Sequence, residues 1–515
     1  MPSPVSSAQE LVKRKSVWWT GLLPVAALLY LYTTLFSVAG TPLFRAGDDS
    51  FFRTYAWRML NGEVFLRDFH QFTPPGTDLV YLAAYRWGGA GVGSSNWVGL
   101  GVGFLLALVW YGLARALMPA GRAALAALIC LVFLYGDRLD VTHHWFSVLA
   151  GSTAVLVLLR VRSVARVALA GSLIGLAAFC TQTTGAVTLL ACCGFLVWEG
   201  RQADGTGRTA WVPVGVLAGT AAAVWLVLTW RFIAAVGWSR WWFAQVLYLP
   251  RASYFPKGFL VPWFVRPNQL GDWIKAAQRG FIYVLFVAVC PWVLWWLRRR
   301  GIRTPDEARA VLVALWGSGL MLATITMLNW NRMDPAAAPA LILLVWGIGR
   351  SGWPERWLTA ACWCCAGAMM MLQMTETERH RFVNLQLPAG RALFEPKDAA
   401  EVQWLVEHTR PGDAFFETAM TRFYMPLALR NPAAVDVLST GRSTVPAWVE
   451  ETTNSLERSG VRYILWAPSA GIGKVEDTAA QSEDVLQPMR EYVRMRFTRV
   501  AVFQGGDEIW ERTGR

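Results

Sequence analysis

The stretch from Gly47 to Trp87, GDDSFFRTYAWRMLNGEVFLRDFHQFTPPGTDLVYLAAYRW, decides how this chain is organised. It is a long polar insertion between two apolar segments, 17–39 and 92–118. Each segment is long enough to cross the roughly 30 Å hydrocarbon core of a bilayer, so the stretch between them lies at a membrane surface. Its first acids, Asp48 and Asp49, come within about ten residues of the predicted membrane exit, where ionised groups are costly unless solvated, paired or used. They are the first candidates for catalytic residues.

The composition of the whole chain is that of a polytopic membrane protein. Hydrophobic residues make up 55% of the 515 residues and charged residues 16%, and apolar stretches long enough to span a bilayer recur along the chain. The net charge of +13 is also typical of nucleic-acid-binding proteins, but the lysines and arginines fall in short clusters between apolar segments. Membrane topology explains that placement, and no nucleic-acid partner is expected.

Eleven membrane-spanning helices are predicted. They cover 17–39, 92–118, 121–136, 144–160, 165–181, 183–199, 209–236, 280–297, 307–328, 335–349 and 355–374. Basic residues fall in alternate short loops on the side of Lys13 to Lys15, which the positive-inside rule makes cytoplasmic. Within 165–199, basic residues at both ends favour two short passes over one long helix. The N-terminus is then inside, and the segment after Met374 is on the periplasmic side of a bacterial inner membrane.

Two regions are predicted. Residues 1–380 form a transmembrane module with a first periplasmic loop, 40–91, and a large periplasmic loop, 237–279. Residues 381–515 read as a soluble periplasmic α/β domain that serves as a docking or lid domain. Its predicted helices are 397–409, 445–459 and 478–492, and its strands lie near 414–417, 461–467, 498–504 and 507–511.

The first loop is predicted to contain two short helices. Ser50 to Leu60 has helical spacing, and Gly62 ends that helix. A second helix is predicted to start with Thr73 as its cap and proline in its first turn. A simpler interpretation of the acidic pair is that Asp49 caps the first helix, but one cap requires only one acid, which leaves Asp48 unexplained.

This loop resembles that of a known family. The shared features are an acidic pair after the first span, a short helix, the residues Gly62, Phe65 and Asp68, and a Pro-Pro pair opening a second helix. They resemble the GT-C superfamily of membrane glycosyltransferases, in particular the protein O-mannosyltransferase and lipid A aminoarabinose transferase branch. The resemblance implies that Asp48 is the catalytic base, with Asp49 where the family usually has Glu. It also implies a polyprenyl-phosphate sugar as donor and inversion at the anomeric carbon.

The chemistry of such a transfer is compatible with the residues present. Phosphate is a good leaving group at neutral pH, so the transfer needs one carboxylate to take the acceptor's proton and cations to hold the departing charge. A glycosidase would need two placed carboxylates. The chain has one prominent acidic site and many cations on the predicted outer side, which favours a transferase.

Several cations are candidates for binding the donor phosphate, namely Arg332, Lys257, Arg251 and Arg266. Basic residues kept on the outer side oppose the positive-inside trend and call for an anionic ligand such as a lipid phosphate. Ordinary solvation is the alternative for those in the large loop. Arg332 is the strongest candidate because it is predicted to lie in a short loop, 329–334, between two spans.

A third group of residues is predicted to position the acceptor or the sugar: Asp68, Asp137, Asp140, His143, His144 and Gln182. Alternatives are that Asp137 pairs locally with Arg138 and that the two histidines cap the next span. No metal cofactor is expected, because the adjacent acids lack the spaced second ligand of a Mg²⁺ or Mn²⁺ site. Adjacent histidine side chains at a helix start are also expected to diverge.

The sequence therefore predicts a membrane enzyme that transfers a sugar from a lipid-linked donor to a hydroxyl of a glycan, lipid or protein acceptor. A glycan ligase or polymerase using the same donors is the nearest alternative. A non-enzymatic transporter or flippase for a lipid-linked sugar is another, although transporters place ionisable groups at mid-bilayer and are built from internal repeats.

Overall fold

Helices account for most of the molecule, as the apolar segments predict. The computed structural model describes residues 4–160, 163–205, 207–248, 270–324, 329–350, 355–375, 381–439, 444–468, 474–476 and 484–514. The helices are α1 Pro4–Leu35, α2 Asp49–Leu60, α3 Gly76–Gly88, α4 Val92–Arg115, α5 Ala120–Cys130, α6 His143–Leu158, α7 Val164–Cys180, α8 Gln182–Asp204, α9 Trp211–Val236, α10 Trp238–Trp242, α11 Leu270–Arg300, α12 Pro305–Thr324, α13 Trp330–Ile348, α14 Glu355–Met374, α15 Pro396–His408, α16 Pro446–Ser459 and α17 Gln487–Arg496.

Each of the eleven predicted spans coincides with one of these helices. Among the described residues, six helices are long and apolar enough to cross a membrane: α1, α4, α8, α9, α11 and α14. Three further apolar helices are shorter, Ala120–Tyr135, His143–Leu158 and Val164–Cys180. The chain is thus a multi-pass membrane protein, while the number of eleven crossings and their orientation stay predictions.

The predicted helix break within 165–199 is present in the structure. Helix α7 ends at Cys180, Thr181 is extended with φ −149° and ψ 109°, and α8 starts at Gln182. Because an extended residue cannot continue the α-helical hydrogen bonding, the chain forms two helices here rather than one.

Contacts divide the chain into two units. The helical unit comprises Met1–Leu35, Gly99–Thr229 and Tyr254–Glu376, and the loop-and-sheet unit comprises Phe36–Val98, Trp230–Ser253 and Thr377–Arg515. In the helical unit, small residues allow close helix packing. A Cβ atom on Gly171 would lie 2.4 Å from the Leu217 carbonyl oxygen, and one on Gly175 would lie 2.5 Å from that of Ala221. The GxxxG spacing on α7 therefore brings α7 and α9 into backbone contact.

Six strands lie in the described residues of the loop-and-sheet unit: β1 Val383–Leu387, β2 Gly390–Phe394, β3 Phe415–Glu417, β4 Tyr463–Trp466, β5 Phe497–Val502 and β6 Glu508–Arg512. Strands β1 and β2 form an antiparallel hairpin. The other four form a sheet in the order β3-β4-β6-β5, in which β3 and β4 are parallel and the remaining pairs antiparallel. The predicted α/β character of the C-terminal region is confirmed. The β1–β2 hairpin was not predicted.

The first loop packs against the C-terminal region, which the predicted domain division did not anticipate. The backbone N–H of Phe44 donates to the Leu393 carbonyl at 2.8 Å, and the Phe44 ring stacks on Phe394 with centroids 4.6 Å apart. The N–H of Val92 likewise donates to the Ala389 carbonyl at 3.1 Å. Sequence periodicity shows that a face is buried but not what covers it, so 40–91 was assigned to the membrane module by chain position alone.

Two predicted helix boundaries are corrected. Helix α3 begins at Gly76 with Pro75 in the capping position, so Thr73 is not its cap. The residue before a proline avoids the α conformation, which excludes Pro74 from the helix and delays its start. Helix α17 spans Gln487–Arg496 and ends beyond the predicted 492; the beginning of the predicted range falls at 478–483, outside the described residues.

A buried charge cluster in the loop-and-sheet unit is centred on Arg422. Its guanidinium donates to Glu417 at 2.7 Å, to Glu401 at 3.1 and 3.2 Å, and to Asp507 at 3.1 Å. Three carboxylates around one cation leave an excess of negative charge away from water. Burial accordingly raises the pKa of Glu401 to about 8, against the lowering effect of Arg422.

The stability of the protein is therefore expected to fall as the pH rises from about 4.5 to about 8. The raised pKa means that folded Glu401 holds a proton which the unfolded chain releases near its usual pKa. The resulting stabilisation is complete below that value and is lost as the pH passes about 8. Melting temperatures of the full chain measured across this range test the expectation. The variant Glu401→Gln should flatten the slope, whereas Glu407→Gln, on the exposed side of the same helix, should leave it unchanged.

Candidate active site

The two acids of the first loop have different surroundings. Asp49 is the first residue of α2; it is 8% exposed and pairs with Arg53 at 3.3 Å. Asp48 occupies the capping position, with φ −62° and ψ −18°, and is the more exposed of the two. In the described first turn, its side chain makes no capping hydrogen bond. Neither acid therefore acts as a side-chain cap, and Asp49 is held by an ion pair that neutralises its charge.

The last turn of α2 is fixed by Arg58, which is 4% exposed. Its guanidinium donates to Asp436 at 2.8 Å and to Glu63 at 2.7 Å. It also donates to the carbonyls of Asp68 and Ala433, at 3.2 and 3.0 Å. One side chain thus ties the helix that follows Asp48 to its own loop and to the C-terminal region.

Asp68, predicted to position the acceptor, organises its own turn. Its Oδ2 atom accepts from the backbone N–H of Val64 at 2.7 Å and from Arg67 at 2.8 Å. The hydrogen bond from Arg67 lowers the pKa of the Asp68 carboxyl. The turn includes Leu66 in the left-handed region, at φ +61°, so the carboxylate stabilises a backbone conformation that is unfavourable for leucine. The role of Asp68 toward an acceptor stays a prediction.

Asp78 is a buried acid that sequence reasoning missed. It lies in the first turn of α3, is 0% exposed, and both of its oxygens accept from the Gln71 amide, at 3.1 and 2.9 Å. Burial raises its pKa well above the usual range. The Gln245 amide donates to the carbonyls of Gln71 and Thr73, at 3.5 and 3.4 Å. An acid in a first helical turn is typical of an exposed residue near the helix dipole, which is why the sequence did not single it out.

In the helical unit, several predicted residues line one cleft. Arg332 and His144 contribute to its wall together with three threonines, Thr183, Thr184 and Thr324. The remaining wall is apolar and includes Val148, Leu320, Ala323, Pro335 and Ala336. The cleft thus combines one cation, one imidazole and three hydroxyls with an apolar surface. The three threonines were not among the predicted site residues.

Arg332 lies in the first turn of α13 rather than in a loop. Helix α13 begins at Trp330, and the Asn329 side chain caps it by accepting from the backbone N–H of Arg332 at 3.1 Å. The predicted loop 329–334 is therefore wrong, because the helix begins at Trp330 rather than at 335. A helical position makes the backbone of Arg332 more rigid than the predicted loop would.

The two adjacent histidines do not diverge as expected. The rings of His143 and His144 lie with their centroids 3.9 Å apart, tilted by 38°. The carbonyl of His143 accepts from the Thr181 hydroxyl at 3.2 Å, which connects the start of α6 to the α7–α8 turn next to Gln182. The two histidines and Gln182, which were predicted in two separate turns, are thereby close to one another. Gln182 is in the first turn of α8 and half-buried.

The turn before α6 carries the other two predicted acids. Asp137 and Asp140 are both half-buried, and the Gln278 amide of α11 donates to Asp137 at 3.4 Å. Asp334 was not predicted; it is 2% exposed and interacts electrostatically with Asp137. Its Oδ2 atom has no hydrogen-bond partner among the described residues. Asp334 therefore joins Asp137 as a candidate for the function of this unit.

The remaining predicted residues, Lys257, Arg251 and Arg266, lie outside the described residues. In the part of the chain that the structure describes, no group of three or more His, Cys, Asp or Glu side chains is arranged to hold a metal ion.

Comparison with known proteins gives a structural answer only. No protein-family model matches the sequence, and no curated protein matches it. Among solved structures, ArnT from Cupriavidus metallidurans bound to undecaprenyl phosphate has a TM-score of 0.59 at 14% identity, covering 96% of this chain and 97% of that one. The oligosaccharyltransferase AglB from Archaeoglobus fulgidus, in complex with an inhibitory peptide and a dolichol-phosphate, has a TM-score of 0.53 at 12% identity, covering 97% and 74%.

Both neighbours are GT-C glycosyltransferases. At these identities the likeness establishes a shared fold. The chain therefore has the GT-C fold that the first loop resembles, which confirms that prediction.

Proposed function

We propose that the chain is a glycosyltransferase that moves a sugar from a polyprenyl-phosphate donor to an acceptor hydroxyl. The observation that carries this proposal is the nearly full-length likeness to ArnT, a protein solved with undecaprenyl phosphate bound. AglB, of the same fold, was solved with a dolichol-phosphate and a peptide. Lipid phosphates in two proteins of this fold support a lipid-linked donor here.

The proposed reaction inverts the anomeric carbon. The acceptor oxygen forms a bond to that carbon while the bond from the carbon to the phosphate oxygen breaks. The hydroxyl proton passes to a carboxylate, and the bonding electrons leave with the polyprenyl phosphate. A base and a stabilised leaving group are required, and no general acid is needed because phosphate departs as an anion.

Asp48 is the proposed base. Asp49 is 8% exposed and its Oδ1 atom accepts from Arg53 at 3.3 Å, so an acceptor hydroxyl has little access to it. Asp48 is more exposed, and the helix it precedes is anchored at its far end by Arg58. A carboxylate at the start of an anchored helix has the defined position that proton transfer requires.

Arg332 is the proposed ligand of the departing phosphate. The cleft it lines also presents hydroxyls from Thr183, Thr184 and Thr324, which can donate to phosphate oxygens. Asp137, His143, His144 and Gln182 are proposed to position the sugar or the acceptor.

The proposed setting is a bacterial inner membrane with the N-terminus in the cytoplasm. The first loop, the large loop and residues 381–515 are then periplasmic, where a lipid-linked donor meets a glycan, lipid or protein acceptor. No metal cofactor is part of the proposal, because the adjacent acids of the first loop lack a spaced second ligand.

The variant Arg332→Ala is expected to weaken donor binding about tenfold to a hundredfold, because a charge-assisted hydrogen bond to phosphate contributes roughly 1.5–3 kcal/mol. The dissociation constant of undecaprenyl phosphate, measured on the purified full chain, tests this. Arg303→Ala is a suitable control, since Arg303 is an exposed arginine between α11 and α12. An unchanged dissociation constant for Arg332→Ala would remove the residue from the proposed phosphate site.

A further inference from the structure

A second cavity of the helical unit has no place in the proposed reaction. It is a groove of about 460 Å³ between the first turns of α7 and α9 and the end of α8. Its walls are mostly apolar, from Val164, Val167, Leu196, Ala203, Val212 and Val216. Ala203 lines the groove and Thr183 lines the cleft, and both are on α8. At about 1.5 Å per residue, the two positions are roughly 30 Å apart along the helix.

Helix packing explains why the groove exists. Helices α7 and α9 are in backbone contact at Gly171 and Gly175. Toward the start of both helices the corresponding positions are larger, and Val167 of α7 and Val216 of α9 line the groove. The space left between them opens onto the outer face of α9, where Val212 is 69% exposed.

Three arginines are close in sequence to residues that line the groove. Arg166, Arg201 and Arg208 are exposed and each is within three residues of a groove wall. The stem of Arg201 packs against Gly207, where an added Cβ atom would lie 3.0 Å from its Cγ. One acid, Glu199, lines the groove. Across 160–208 the chain has five arginines and two acids, so the surroundings attract anions.

We infer that this groove binds one anionic phospholipid. An acyl chain occupies the apolar walls between α7 and α9, and the phosphate lies at the rim among the arginines. An apolar slot beside clustered arginines at one end of a membrane helix bundle matches both parts of such a lipid, since basic pockets between membrane helices bind anionic headgroups. A lipid without net charge can pack its acyl chain against the apolar walls, but it is attracted less strongly by the arginines.

The test is native mass spectrometry of the full chain in detergent, with dioleoyl-phosphatidylglycerol or dioleoyl-phosphatidylcholine added in equal amounts. One phosphatidylglycerol is expected to stay bound, with at least tenfold preference over phosphatidylcholine. Ala203→Trp, which fills the groove, should abolish retention, and Val212→Trp should do so from the opposite wall. Arg201→Gln combined with Arg208→Gln should reduce the preference at least tenfold.

The matched controls are Leu190→Trp, at an exposed position on α8 outside the groove, and Arg303→Gln at an exposed basic position elsewhere; both should retain the lipid. Equal retention of the two phospholipids, or retention by both groove-filling variants, would overturn the inference. Displacement of phosphatidylglycerol by equimolar undecaprenyl phosphate would overturn it as well, because the groove would then hold the donor. Monodispersity in gel filtration verifies that each variant is folded.

Discussion

Replacing Asp48 with asparagine is expected to abolish sugar transfer while leaving expression and donor binding intact. The amide keeps the size and polarity of the side chain but cannot take the acceptor proton at neutral pH. Positioned proton transfer contributes roughly 10²- to 10⁴-fold to a rate, and the loss should be of that order. Turnover of a polyprenyl-phosphate sugar by the purified enzyme, with the donor dissociation constant measured in parallel, tests the expectation.

The matched control is Asp49→Asn. Asp49 pairs with Arg53 at 3.3 Å, and the Arg53 guanidinium also donates to the Arg45 carbonyl at 3.0 Å. Removing the Asp49 charge is expected to affect stability more than turnover, because a buried guanidinium loses its counter-charge. If Asp48→Asn keeps full activity while Asp49→Asn is folded but inactive, the proposal is wrong and Asp49 is the base.

What the sequence predicted correctly depends on local patterns. The helices of the membrane module follow from apolar length, and α2 follows from helical spacing between Ser50 and Leu60. The break at Thr181 follows from charge alternation. The fold shared with the two glycosyltransferase structures was expected only from the resemblance of one loop to a known family, not from periodicity or residue spacing.

What the sequence did not predict depends on contacts between distant residues. Arg58 and Asp436 are 378 positions apart, and no periodicity connects them. His144 and Arg332 were predicted in separate loops and Thr184 was not predicted, whereas packing of α6, α8 and α13 places the three residues in one cleft. Asp78 escaped notice because its position in a helix suggests exposure, and only tertiary packing buries it.

Arg58→Met is expected to destabilise the loop-and-sheet unit by roughly 3–5 kcal/mol, the usual cost of removing one partner of a buried ion pair. Arg58 and Asp436 are 4% and 0% exposed at their side chains. Burial already raises the pKa of Asp436, against the lowering effects of Arg58 and Asn431. Without the guanidinium, that carboxylate is left charged in an apolar environment. Thermal unfolding of the full chain should shift by on the order of 10 °C.

The exposed pair of Arg67 and Asp68 provides the control, since Arg67 is 56% exposed at its side chain. Arg67→Met should cost about 1 kcal/mol or less, because surface ion pairs contribute little. Loss of stability in Arg67→Met as large as in Arg58→Met would contradict the distinction between the two pairs.

The double variant Arg58→Met/Asp436→Asn separates positioning from stability. It removes both charges and keeps a hydrogen-bond acceptor for Asn431, so much of the lost stability should return.

Helix α2 has 12 residues, with Asp48 before its first turn and Arg58 in its last. If Arg58 only stabilises the fold, transfer recovers together with the melting temperature. If it aligns α2 for catalysis, the double variant melts near the wild type yet transfers sugar slowly, with an unchanged pH profile and a reduced kcat. We expect the second result, because neutral side chains cannot reproduce the four hydrogen bonds that Arg58 donates to Asp436, Glu63, Asp68 and Ala433.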